Sequence, residues 1–377
     1  MKSLHYGHQS IDESDIAAVV AALKGEWLTQ GPLVDEFEER VAGYVGVPHA
    51  VAFSSGTAAL HGAMYAAGVE SGDVVLTSPL TFAATANSVL YVKGVPVFLD
   101  IDPKTYCLDP ERVARFCREK NPKVIAPVSF AGYPVDMKAF RQIADGCNAV
   151  IVEDACHALG AERNGVKVGI EADMTALSFH PVKHVTTGEG GMVLTKSSVF
   201  AEKMRLFRSH GIAKNPAMMT REPDGPWYTE MLELGYNYRL TDIQCALGLS
   251  QMKRLDASIA RRREIATRYD DAFRGNEALS TPPSHPGHAY HLYPLWIFPE
   301  LRKRVFEGLR DADIGVQVHY LPVPLHPYYR RTFDYKAGDF PNAERIYAGE
   351  ISLPMYPDLD DEDISRVIRE VLRLVGA

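Results

Sequence analysis

Apolar residues near the N-terminus recur at helical spacing. Ile16, Val19, Val20 and Leu23 fall on one side of a helix that begins near Asp12, and Gly25 suits its end. Val34, Phe37, Val41 and Tyr44 repeat the pattern in a second helical stretch. Then the spacing changes. His49–Phe53 is a short apolar run, and Ser54-Ser55-Gly56-Thr57 leads into the alanine-rich segment 58–67. That order predicts strand, tight turn and helix. Short apolar runs at 74–77, 96–99, 124–128 and 149–152 then alternate with helical segments at 82–91, 110–119 and 137–144. Two further strands are expected at 174–179 and 192–195. Such alternation predicts a mostly parallel sheet covered on both faces.

Thr241 and Gln244 have the spacing of a capping box, and helix formers without proline follow to about Phe273. One long helix is expected there, linking a large unit to a smaller one. Residues 279–288, rich in Pro, Ser and His, read as a connector. Strands at 290–298 and 316–320 and helices at 301–311 and 364–374 complete a second α/β unit. The division expected is 1–250 for the large domain, with its N-terminal helical segment, and 251–377 for the linking helix and the small C-terminal domain.

Composition adds little to this picture except exclusions. The 377 residues are 46% hydrophobic and 23% charged, ordinary for a soluble globular protein. A formal charge of −8 without a basic stripe argues against nucleic-acid binding. No apolar run is long enough to span a bilayer, and the N-terminus lacks a signal core. Cys107, Cys117, Cys147, Cys156 and Cys245 form no C-x-x-C pair, as expected of reduced thiols in a cytoplasmic protein. The histidines have no metal-binding spacing.

Three features fall at carboxyl ends of expected strands, where an open α/β sheet places its ligand. The turn at Ser55, Gly56 and Thr57 opens a helix and suits a phosphate, although Ser, Gly and Thr also simply start helices. Asp154 closes an apolar strand. It either pairs with a cation, such as a protonated pyridine nitrogen, or caps the following turn. Lys183 follows another apolar strand and precedes a glycine-rich turn. Held between buried elements it would offer a neutral amine, whereas most lysines are solvated. Phe82 could stack on a flat cofactor or belong to the core. Gly188-Glu189-Gly190-Gly191 leads into a strand, so it is no dinucleotide fingerprint.

Taken in order, SSGTAAL at 54–60, TFAATAN at 81–87, VEDACHALGA at 152–161, SFHPVKHVTTGEGG at 178–191 and GYNYRLTDIQCALGLSQ at 235–251 resemble the DegT/StrS family of pyridoxal-phosphate (PLP) sugar aminotransferases. The resemblance spans nearly the whole chain. It implies the aspartate-aminotransferase-like fold, PLP fold type I. It implies that Lys183 bonds the cofactor and that Asp154 pairs with the ring nitrogen. Phe82 would stack on the ring, and Ser55, Gly56, Thr57 and Ser178 would hold the phosphate. His157 stands where many relatives have glutamine, near the phenolic oxygen. Asn237 would reach the phosphate of a neighbouring subunit, because the family builds its site across a homodimer. Tyr6, Thr29, His180, Arg239 and His319 are the candidates for substrate contact.

LTQG at 28–31, FRSHGI at 207–212, HLYP at 291–294, VHYLPV at 318–323 and EISLPMYPDL at 350–359 are similar to the pseudaminic-acid branch of the family. That branch implies amination at C4 of a UDP-linked 4-keto-6-deoxy N-acetyl sugar, with L-glutamate as donor. Lys183 would then serve as covalent anchor and as acid/base. Competing readings are a sister enzyme for a GDP- or dTDP-linked keto sugar, a PLP-dependent sugar dehydratase, and a non-enzymatic regulator. Dehydratase relatives replace the lysine with histidine, so Lys183 argues against that reading. The intact motifs argue against a regulator.

Overall fold

The apolar runs of the first 195 residues assemble into one seven-stranded sheet in a computed structural model that describes residues 3–376. The strands are β1 (His49–Phe53), β2 (Val74–Thr77), β3 (Val95–Phe98), β4 (Val124–Ala126), β5 (Val150–Asp154), β6 (Met174–Ser178) and β7 (Gly191–Thr195). Their spatial order is β1-β7-β6-β5-β4-β2-β3. β7 runs antiparallel to both its neighbours, and the pairings from β6 across to β3 are parallel. Strands β1 to β6 therefore point the same way, and their carboxyl ends share one edge of the sheet.

The strands read as continuous apolar runs because helices cover both faces. Every side chain of β7 is buried. The helix Gly56–Ala66 lies over β6 and β7, and its small residues Ala58, Ala59 and Ala63 permit close approach. Beyond the sheet, a three-stranded antiparallel sheet joins Leu279–Ser280, Tyr293–Ile297 and Glu350–Leu353. Helices Leu255–Phe273, Pro299–Asp311 and Asp361–Val375 pack on it around Tyr269, Leu295, Val305 and Ile364. Leu4 joins that cluster, so the start of the chain returns to its C-terminal third.

Several expectations change. The first helix, Glu13–Lys24, buries Asp15 and Ala22, while Ile16 and Leu23 are about half exposed. Polar partners set its roll. Asp15 accepts from Arg254 Nη2 at 2.8 Å and from Gln251 Nε2 at 2.7 Å. The long helix expected from Thr241 is two helices, Asp242–Met252 and Leu255–Phe273. The break falls at Lys253 and Arg254, where Arg254 binds Asp12 and Asp15. The capping box at Thr241 and Gln244 forms. Residues 316–320 do not form a strand. A single bridge joins Gln317 to Ser352, and the His319 N–H donates to Glu350 Oε2 at 2.7 Å. The helix expected from Phe82 begins at Ala84. Helices Ser198–Phe207, Pro327–Phe333 and Pro341–Gly349 and the strand Glu350–Leu353 were not anticipated from the spacing.

Candidate active site

The shared edge of the sheet opens into a cleft of about 560 Å³. Ser55, Gly56 and Thr57 line it just after β1, Asp154 and His157 at and after the end of β5, and Ser178, His180 and Lys183 at and after the end of β6. Tyr6, Phe82 and His319 complete this set. Parallel strands thus gather residues far apart in sequence.

The start of the Gly56–Ala66 helix forms part of the wall. Ser55 caps it by accepting the Ala58 N–H at 3.1 Å, and the first-turn N–H groups have no partner within the helix. Glycine keeps this corner open. A Cβ at residue 56 would lie 2.9 Å from Ser178 Cβ, and one at residue 191 would lie 2.3 Å from the Ser55 carbonyl oxygen. The second glycine of the Gly190-Gly191 pair therefore lets β7 pass directly behind the turn. Free N–H groups and a clear approach suit a phosphate.

Asp154 is buried, and both its oxygens are engaged. Oδ2 accepts from Thr85 Oγ1 at 2.6 Å and Oδ1 from the Cys156 N–H at 3.1 Å. Capping of the next turn and presentation of a carboxylate to the cleft occur together. Phe82 sits just before the Ala84–Tyr91 helix with 59% of its surface exposed. A large ring left open in a cleft is available to stack on a flat ligand.

Lys183 lies on the connection between β6 and β7. Its Nζ is 3.3 Å from His291 Nε2. Burial pulls the amine down to about 8, Cys156 and Asp154 pull it partly back, and Arg262 pushes the same way as burial. A substantial neutral fraction near neutral pH suits a nucleophilic amine. Around it stand imidazoles that burial holds far below their ordinary range, namely His157, His184 and His291. His157 Nδ1 accepts the Ala131 N–H at 3.3 Å, so its proton sits on Nε2, 3.4 Å from the Tyr320 hydroxyl. His319 is anchored through Nδ1 to Ser352 Oγ at 2.8 Å, and its ring lies 5.3 Å from that of Tyr6.

Thr29, Asn237 and Arg239 do not line this cleft. Thr29 bridges to Thr241, Asn237 to Ser209, and Arg239 lines a different cavity of about 620 Å³ together with Gln30, Arg208 and Ser209. His291 and Tyr320 line the cleft and were given no role from sequence. His291 carries no local signal beyond its place in an aromatic-rich run. No cluster of potential metal ligands occurs among the described residues, and no helix among them is long and apolar enough to cross a membrane.

A buried amine held partly neutral at the carboxyl edge of a mostly parallel sheet suits an enzyme that bonds a carbonyl cofactor such as PLP. The glycine-cleared turn, the buried carboxylate and the open ring fit that cofactor. Comparison with known proteins narrows the class. Residues 9–372 match the DegT/DnrJ/EryC1/StrS aminotransferase family, and the chain belongs to it. Two Campylobacter jejuni proteins named UDP-4-amino-4,6-dideoxy-N-acetyl-beta-L-altrosamine transaminase are 40% and 41% identical. They match 97% and 98% of this chain and 96% of their own lengths. Helicobacter pylori PseC, an aminotransferase involved in the biosynthesis of pseudoaminic acid, superposes with a TM-score of 0.91 at 33% identity over 99% of both chains. Spr1654 of Streptococcus pneumoniae, solved in a PLP form, gives 0.90 at 28% identity over 99% of this chain and 98% of its own. The protein is a PLP-dependent sugar aminotransferase.

Proposed function

We propose that the chain transfers an amino group from L-glutamate to C4 of a UDP-linked 4-keto-6-deoxy N-acetyl sugar. The observation that carries the chemistry is the convergence of Lys183, Asp154, Phe82 and the Gly56 turn on one cleft. The substrate rests on the names of the Campylobacter relatives and on the Helicobacter structure.

Lys183 would bond the cofactor. Bound PLP would supply the electron sink for amino-group transfer. Asp154 would hold its positive ring nitrogen, because a buried carboxylate is stabilised by a cationic partner. Phe82 would stack on the ring. Ser55, Gly56, Thr57 and Ser178 would hold the phosphate, and His157 would donate to the phenolic oxygen. The Lys183 amine would also serve as the acid/base that moves the proton on the donor and on the sugar side. Tyr6, His180 and His319 are assigned to the sugar side of the cleft.

Thr29, Asn237 and Arg239 are assigned to the cleft of a second subunit. Their absence from the cleft of their own chain and the exposed Trp27 and Leu28 beside Thr29 support that reading. The division into domains 1–250 and 251–377 belongs to the same reading.

A coupled assay starting from UDP-N-acetylglucosamine and an inverting dehydratase tests the substrate. The 4-amino sugar should form as glutamate is consumed. Turnover of a GDP- or dTDP-linked keto sugar instead would overturn the substrate assignment. Lys183→Ala should fold, yet retain no PLP after borohydride reduction. Mixing Lys183→Ala with Asn237→Ala chains should restore activity if the site is shared between subunits.

A further inference from the structure

Lys183 also lines a second cavity, of about 230 Å³, that the proposed chemistry does not use. Its walls come from the N-terminal segment at His8 and Ser10, the chain from Pro181 to Thr186, the Leu255–Phe273 helix and residues 357–358. The charges on those walls are unequal. Lys183, Arg254, Arg261 and Arg262 face a single carboxylate, Asp358.

Two of the arginines are already compensated. Arg254 pairs with Asp12 and Asp15, and Arg261 with Asp361 and Glu264. Arg262 differs. It is 1% exposed, and its Nη1 donates to backbone carbonyls, those of Met355 at 2.8 Å, Tyr290 at 3.2 Å and His291 at 3.5 Å. Its Nε is buried without a partner. No carboxylate pairs with it among the described residues. Asp358 acts on it only through space, and that carboxylate accepts from Ser10 Oγ at 2.9 Å. A buried permanent cation lacking a counter-charge is strongly disfavoured. Burial accordingly pulls the guanidinium down to about 10.

We propose that this cavity is an anion site, in which a small carboxylate or oxyanion supplies the counter-charge that the fold denies Arg262. The volume suits an ion the size of acetate or phosphate. Ser258, on the same wall, has a side chain from which a carboxylate could reach the space. Because Arg262 acts on Lys183 electrostatically, an occupied site also offsets the repulsion that helps keep the Lys183 amine neutral. The site thereby ties anion concentration to the state of the amine. The inference does not depend on which sugar is aminated.

Crystals of the PLP-loaded, full-length protein grown with sodium bromide test it directly. An anomalous bromine peak beside the Arg262 guanidinium is expected, and its absence overturns the proposal. In solution, acetate and phosphate are titrated separately at fixed ionic strength while the melting temperature is followed. A saturable rise is expected in the wild type and in Ser258→Gln. A response to acetate alone marks a carboxylate site, and one to phosphate alone an oxyanion site. Ser258→Glu carries its own carboxylate and should melt higher at low salt without responding to either anion. An undiminished response in Ser258→Glu overturns the site. The bromide map decides the matter even if that variant does not fold.

Discussion

The Lys183 amine lies 3.3 Å from His291 Nε2, while the other nitrogen of that imidazole is buried without a partner. An ammonium needs Nε2 as acceptor, which places the imidazole proton on Nδ1, whereas a neutral amine lets Nε2–H donate and leaves Nδ1 a bare acceptor. Nδ1 is unsatisfied in either state, so the contact fixes where the amine rests without choosing its charge. Replacing it with Leu should lower kcat by about 10- to 100-fold through misplacement of the lysine, with a smaller change in KM. His291→Gln, which keeps a polar atom near Nε2, should recover part of the loss. Equal kcat in the wild type and the Leu variant would remove His291 from the mechanism.

The pH dependence of Lys183 follows from its lowered value. The amine captures PLP only when neutral, and burial sets its midpoint at about 8. Below that midpoint the neutral fraction falls tenfold per pH unit. The rate at which the apoprotein takes PLP into a borohydride-reducible bond should therefore rise with pH and level off above about 8. A profile still rising tenfold per unit at pH 9 would mean an ordinary solvated lysine.

What the sequence disclosed and what it withheld have a common cause. The apolar runs located all seven strands of the large sheet, because strands buried on both faces leave a continuous signature. They also led to Gly56, Asp154 and Lys183, each at a strand's carboxyl end. The helix Glu13–Lys24 was rolled wrongly because the pull of Arg254 and Gln251 on Asp15 spans more than 230 residues. Residues 316–320 have strand-like spacing, yet the Glu350 side chain takes the His319 N–H that a ladder would need. His291 stayed hidden because its partner, Lys183, is 108 residues away. Patterns along the chain report burial well, but they do not report pairings across it.

Gly56→Ala should separate cofactor retention from folding. The added methyl would lie 2.9 Å from Ser178 Cβ and 3.1 Å from its hydroxyl oxygen. Overpacking of this kind costs about 1–3 kcal/mol. The variant should fold and lose PLP on dialysis far faster than the wild type, as read from visible absorbance. Unchanged retention would show that the turn does not meet the cofactor.

Phe82→Ala should have the opposite balance. An exposed ring contributes little to the core, so stability should change by less than about 0.5 kcal/mol. Loss of stacking, worth about 0.5–1.5 kcal/mol, should weaken PLP binding by roughly two- to tenfold. A large drop in melting temperature would instead assign the ring to packing.

The buried imidazoles predict how the fold fails in acid. Burial holds His157, His184 and His291 well below their ordinary range, His288 and His319 at about 3 and His61 at about 4. In the unfolded chain each would take a proton near pH 6.5. Below that pH the unfolded state binds more protons than the folded state, so stability is lost as pH falls. Each histidine contributes up to about 1.4 kcal/mol per pH unit. Glu350 and Glu153, raised by burial to about 8 and about 7, act with the opposite sign. The folded state keeps their protons while the unfolded one releases them near pH 4.5, so they favour folding more as pH falls toward 4.5. Six histidines outweigh two glutamates, and the melting temperature should drop steeply between pH 6.5 and 5. Glu350→Gln should steepen that fall, because it removes one of the opposing groups. A shallower fall in this variant, measured by thermal melts across the interval, would mean that Glu350 is ionised in the folded protein.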